Sequence, residues 1–112
     1  MTLREIRLKA AEILEASEDS WCQKIYRHKL PDGRYAYCMF GACQEAIGYF
    51  MIHDAGLKAG WSMEEARAAC KIRESADVAA RAIMPGGMLW NDAPGRTREE
   101  VIAALRAVKE GD

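Results

Sequence analysis

Trp21-Cys22-Gln23-Lys24-Ile25-Tyr26-Arg27-His28-Lys29-Leu30-Pro31-Asp32-Gly33-Arg34-Tyr35-Ala36-Tyr37-Cys38 is the stretch that decides the fold class. Its two halves are rich in aromatic and β-prone residues, and Leu30-Pro31-Asp32-Gly33 between them is a turn sequence. The spacing predicts a β-hairpin with strands over 21–29 and 34–38. A two-stranded ribbon is marginal alone, so it must pack against something else. Everything outside it has helical grammar. The chain is therefore expected to be α+β, mostly α, with about four helices and the one hairpin between helix 1 and helix 2. At 112 residues it is expected to be a single domain, 1–112.

Working outward, Thr2-Leu3-Arg4-Glu5, Ser62-Met63-Glu64-Glu65 and Thr97-Arg98-Glu99-Glu100 each read as a capping box, hydroxyl first and glutamate three residues on. The first helix is predicted over 3–16, with Leu3, Ile6, Ala10, Ile13 and Leu14 as its apolar stripe. The second is predicted from Cys38–Gly41 to Asp54, ended by Ala55-Gly56. Gly48 inside it weakens the helix by roughly 1 kcal/mol relative to alanine and reads as a close approach of another backbone. The third is predicted over 63–84, with Ala66, Ala69, Cys70, Ala76, Ala80, Ile83 and Met84 facing inward and Pro85-Gly86-Gly87 as its stop. The fourth is predicted over 98–109, burying Val101, Ile102, Leu105 and Val108, with 110–112 fraying.

Composition limits the function. Half the residues are hydrophobic, 29% are charged, and the formal net charge is −1. That balance opposes a general nucleic-acid or membrane-surface binder, which carries excess Lys and Arg. No segment approaches a membrane span or a secretory leader, so the expected location is cytoplasmic. In that setting Cys22, Cys38, Cys43 and Cys70 are expected to be reduced. No Cys or His pair has metal-ligand spacing, so neither metal nor cofactor is expected.

The densest polar chemistry is Trp90-Asn91-Asp92-Ala93-Pro94-Gly95-Arg96-Thr97, directly before the last helix. A turn uses Pro94-Gly95 and a helix start uses Thr97. Neither requires Trp90, Asn91, Asp92 and Arg96 together. One reading is structural: Asn91 and Asp92 bond nearby backbone, Arg96 pairs with Asp92, and Trp90, like Trp61, is largely buried with its N–H on a carbonyl. The other makes Asn91, Asp92 and Arg96 part of a ligand or partner site.

Trp21-Cys22-Gln23, then Tyr37-Cys38-Met39-Phe40-Gly41-Ala42, then Trp90-Asn91-Asp92 resemble a family of small proteins of unknown function from actinobacteria, proteobacteria and phages. The family pattern is Trp, then Cys-x-x-Gly-Ala at a helix start, then Trp-Asn-Asp before a last helix. Met39 stands where the family often has alanine. The resemblance implies a single helical domain and a phage association, and it brings no activity.

Three functions compete. The first is a small interaction protein, phage- or prophage-encoded, that binds and modulates a host protein or complex, an inhibitor of a defence system among the cases the resemblance allows. Its expected surface is the basic-aromatic hairpin, Tyr26, Arg27, Arg34 and Tyr35, residue types favoured at interfaces, together with Asn91, Asp92 and Arg96. The second is a cysteine enzyme. Cys38 opens a helix, where amides and the dipole favour a thiolate, and His28 and Asp92 are candidates for base and orienter. The third is a nucleotide or nucleic-acid binder that stacks bases on the hairpin and holds phosphate with its arginines.

Overall fold

The structure, a computed structural model, describes residues 2–81 and 88–107. Ile83, Met84, Pro85-Gly86-Gly87, Val108 and the 110–112 tail, all assigned roles above, lie outside the described residues. Six helices and one hairpin run in the order α1 (Leu3–Glu15), β1 (Arg27–Lys29), β2 (Tyr35–Tyr37), α2 (Met39–Ala46), α3 (Tyr49–Ala59), α4 (Met63–Arg81), α5 (Met88–Asn91) and α6 (Arg98–Arg106). The class is α+β and mostly helical, as expected, but the described residues form six helices where about four were predicted.

Two local features account for the difference. Gly48 adopts a left-handed conformation, φ +77°, and splits the expected second helix into α2 and α3. A Cβ there would meet nothing within 4 Å, so Gly48 is a conformational break and not a close contact. Close approach belongs to two other glycines. A Cβ on Gly41 would lie 1.7 Å from the Tyr26 carbonyl oxygen, and one on Gly56 would lie 0.7 Å from the Trp61 indole nitrogen. Gly56 therefore sits inside α3, and the helix stops at Gly60, φ +80°. The second feature is one short turn of helix, α5, within the Trp90-Asn91-Asp92 segment.

The capping boxes form as read. Thr2, Ser62 and Thr97 accept from the amides of Glu5, Glu65 and Glu100, and each glutamate reaches back to the cap amide. The core lies where α1, α2, α4 and α6 converge, around Ile6, Leu14, Met39, Cys43, Ala76, Ala80, Val101 and Leu105. Small alanines on α4 admit this close packing, although Cys70, expected inward, is exposed. Two polar side chains inside are anchored by hydrogen bonds: Gln44 donates to Asp77 at 3.0 Å, and the Arg7 guanidinium reaches the Ala79 carbonyl. At the far end, Arg98 donates to the Leu14 and Ser17 carbonyls, and Arg106 pairs with Glu15, which binds α6 to α1.

The strands are shorter than predicted. Arg27–Lys29 pairs antiparallel with Tyr35–Tyr37, placing Arg27 opposite Tyr37 and His28 opposite Ala36. Residues 20–22 return along the other edge of β2. Tyr37 donates to the Ser20 carbonyl at 2.8 Å and accepts from the Cys22 amide at 3.1 Å, a parallel bridge of Trp21 to Tyr37. Between these two edges residues 22–26 form a loop, not the strand expected there.

Candidate functional site

All three stretches singled out in the sequence meet at one place. Asn91 is completely buried, and its amide uses every bonding position. Its Oδ1 accepts from the Trp21 indole at 2.9 Å and from the Met39 amide, at the start of α2, at 3.0 Å. Its Nδ2 donates to the Cys22 carbonyl at 3.4 Å and to Asp92 Oδ1 at 2.9 Å. Asp92 in turn accepts from the Lys24 amide at 2.7 Å, and Gln23 donates its Nε2 to the carbonyls of Asn91 and Ala93.

Tyr26 closes the other end of the loop. Its carbonyl accepts from the Cys38 amide at 3.3 Å and lies in the notch left by Gly41. The structural reading of Asn91 and Asp92 is thus the one the geometry realises. Apart from the bond between the two side chains themselves, however, their partners are 52 to 70 residues away rather than in their own turn.

This lacing holds the loop in an unusual shape. Lys24 has φ +69°, the one non-glycine with positive φ among the described residues. Such a conformation is adopted where surroundings over-determine it. Held this way, the loop turns Ile25 and Tyr26 outward, 50% and 47% exposed.

Arg96 does not pair with Asp92. Its Nε donates to the Trp90 carbonyl at 2.9 Å, its terminal nitrogen bonds Glu100 at 2.9 Å, and its guanidinium lies over the Trp90 ring, 4.1 Å from the centroid. Trp90 is consequently half-buried, one face on the core and the other under a cation, and not the enclosed plug expected. Trp61 is half-buried as well, packed against Gly56 with the His53 ring at its edge.

The hairpin arginines are also occupied. Arg27 forms a two-pronged pair with Asp54 on α3, at 2.9 and 2.8 Å, and lies over the rings of Tyr35 and Phe50. That pairing holds the Asp54 carboxyl down at about 2. Arg34 is shared among Asp32, Asp19 and Ser17. Asp32 is readable as a partner from its place two residues away, whereas Asp54 and Asp19 come from other elements. With their charges met by carboxylates, these arginines offer little to phosphate. Tyr35 is half-buried under Arg27, which leaves Tyr26 as the expected hairpin residue that projects freely.

Cys38 is the N-cap of α2. Its sulfur accepts from the Gly41 amide at 3.3 Å and touches the Met88 sulfur at 3.8 Å. The side chain is wholly buried, and burial pushes its thiol up to about 12, outweighing the helix-start amides that pull the other way. Cys38 stands opposite Tyr26, not His28. His28 is exposed opposite Ala36, and among the described residues no hydrogen bond joins it to the thiol. The expected thiolate–imidazole pair is not formed. His53 lies inside α3 between Tyr49 and Trp61, with Nδ1 3.2 Å from Asp54. Among the described residues no cluster of side chains could hold a metal ion, and no helix is long and apolar enough to cross a membrane.

No curated protein matches the chain, and no solved structure does. One family does match, over residues 1–110, nearly the whole length and all three converging stretches. The chain belongs to that family, a family of unknown function (DUF6197).

Proposed function

We propose that this chain is a small interaction protein that binds and modulates another protein through the loop of residues 22–26. The observation that carries this is the contrast within the loop. Its backbone is laced to residues 91–93 and to the start of α2, while Ile25 and Tyr26 face solvent. A rigid loop loses little conformational freedom on binding, and an aliphatic–aromatic pair is the kind of anchor that dominates interfaces. Lys24 at the same tip is exposed and adds a cation to its rim. The resemblance to phage-associated proteins would make the partner a host protein or complex, inhibition of a defence system being one such action.

The test is affinity capture from host lysate with the wild-type chain and with an Ile25→Ala, Tyr26→Ala double variant. Loss of two anchors should weaken binding by about a hundredfold or more. Surface truncation should leave the melting curve nearly unchanged. Equal capture by both proteins would overturn the assignment and move the surface to α3, where Met51 and Leu57 are 78% and 71% exposed.

A further inference from the structure

The four thiols are free. Two of them are neighbours in space, through an arrangement their sequence spacing does not reveal. Trp21 and Tyr37 are bridged in parallel, so the next residue along each segment is Cys22 on one side and Cys38 on the other. Side chains alternate along extended chain, so both cysteines leave the bridge on the face opposite Trp21 and Tyr37. Adjacent extended segments lie about 4.8 Å apart, inside the roughly 4.4–6.8 Å between Cα atoms that a disulfide spans. The frame around them is rigid. Asn91 bonds both the Cys22 carbonyl and the amide that follows Cys38, and Cys22 donates its own amide to Tyr37.

We propose that Cys22 and Cys38 are a redox pair that closes to an intrachain disulfide in the presence of a hydroperoxide. Cys22 is half-buried and is the member solvent reaches, whereas Cys38 is enclosed. The Cys22 thiolate attacks the peroxide, taking one oxygen to become a sulfenic acid and releasing hydroxide or alkoxide. The Cys38 sulfur then displaces that oxygen as water, the S–S bond forms, and the two thiols have lost two electrons to the peroxide. Closure is slow at neutral pH, because burial and the Asp92 carboxylate raise the Cys22 thiol to about 11. The bridge covalently ties the loop carrying Ile25 and Tyr26 to the start of α2.

The experiment uses the full chain carrying Cys70→Ser, which removes the exposed thiol that would otherwise link two molecules. Hydrogen peroxide is added and intact mass followed. The expected result is a loss of two hydrogens, reversed by dithiothreitol, with a proteolytic peptide joining Cys22 to Cys38. The rate should rise about tenfold per pH unit while the thiolate is limiting. A further Cys43→Ser change should leave the bridge intact, and Cys22→Ser should abolish it. A bridge to Cys43, a gain of oxygen on Cys22 without closure, or an unchanged mass would each overturn the pair. None of these readouts depends on whether the loop binds a partner.

Discussion

Trp21 and Asn91 stand 70 residues apart in the chain and share a hydrogen bond of 2.9 Å, indole N–H to amide oxygen, at the edge of the core. The same oxygen takes the Met39 amide, so one side chain joins the segment before the hairpin, the start of α2 and α5. Asn91→Ala should therefore be costly. It strips partners from the Trp21 indole, the Met39 amide and the Cys22 carbonyl, and a buried unmet polar group costs about 1–3 kcal/mol. Allowing for water entry at the half-buried ones, the expected loss is about 2–4 kcal/mol. Urea unfolding measures it, and a midpoint equal to wild type would show that the amide is dispensable.

The glycines separate by mechanism. Gly41→Ala drives a methyl into the Tyr26 carbonyl, which belongs to a backbone laced on both sides, so about 3 kcal/mol or more should be lost. Gly48→Ala meets open space and suffers only from its positive φ, about 1–2 kcal/mol. Gly56→Ala meets the Trp61 indole, a side chain that can swing outward. Its signature should be a red-shifted Trp61 fluorescence rather than unfolding. Equal losses at positions 41 and 48 would contradict this ordering.

Acid stability should depend on Asp54. Arg27, and after it His53, depress its carboxyl to about 2, below the ordinary aspartate value of 3.8. A carboxyl depressed by folding contributes stability that is complete above its unfolded pKa and disappears as pH falls through the folded one. The window is thus from about pH 4 down to about 2. Asp54 is half-exposed, so the contribution should stay under about 1 kcal/mol. Thermal melts of Asp54→Asn against wild type should converge across that window, and parallel curves would assign the acid limb to other carboxyls.

Iodoacetamide should distinguish a structural Cys38 from a nucleophilic one. Burial raises the thiols of Cys38 and Cys43 to about 12, while Cys70 is exposed. The expected order is Cys70 first, Cys22 slowly, and Cys38 and Cys43 only on unfolding. Rapid labelling of Cys38 below neutral pH would restore the enzyme reading. Cys38→Ala, which removes the cap on Gly41, should destabilise by about 1 kcal/mol.

What could be read from the sequence was whatever depends on near neighbours. A capping box is complete within four residues, so Thr2, Ser62 and Thr97 announce their helices. The apolar stripes of α1 and α6 repeat at helical period and face the core accordingly. Glycine is ambiguous by the same measure: Gly41, Gly48 and Gly56 look alike in a helical stretch, and only the arrival of Tyr26 or Trp61 separates a contact from a break. The hairpin looked basic because Asp54 and Asp19, which neutralise Arg27 and Arg34, come from other elements. Asn91 was legible as unusual but not as the hub of Trp21, Cys22 and Met39, since nothing local encodes contacts across 52 to 70 residues.

The reach of Asn91 also orders events during synthesis. A ribosome releases Trp21, Cys22 and Met39 long before Asn91, and Arg98 and Arg106, which fasten α6 to α1, follow later still. Until then the first half of the chain carries a loop in which the Cys22 carbonyl and the Lys24 amide have only water as partners, beside an α1 with one apolar flank uncovered. The nascent chain thus waits, open, for nearly its last helix, and a chain truncated before residue 91 should be a substrate for chaperones and proteases rather than a partial fold.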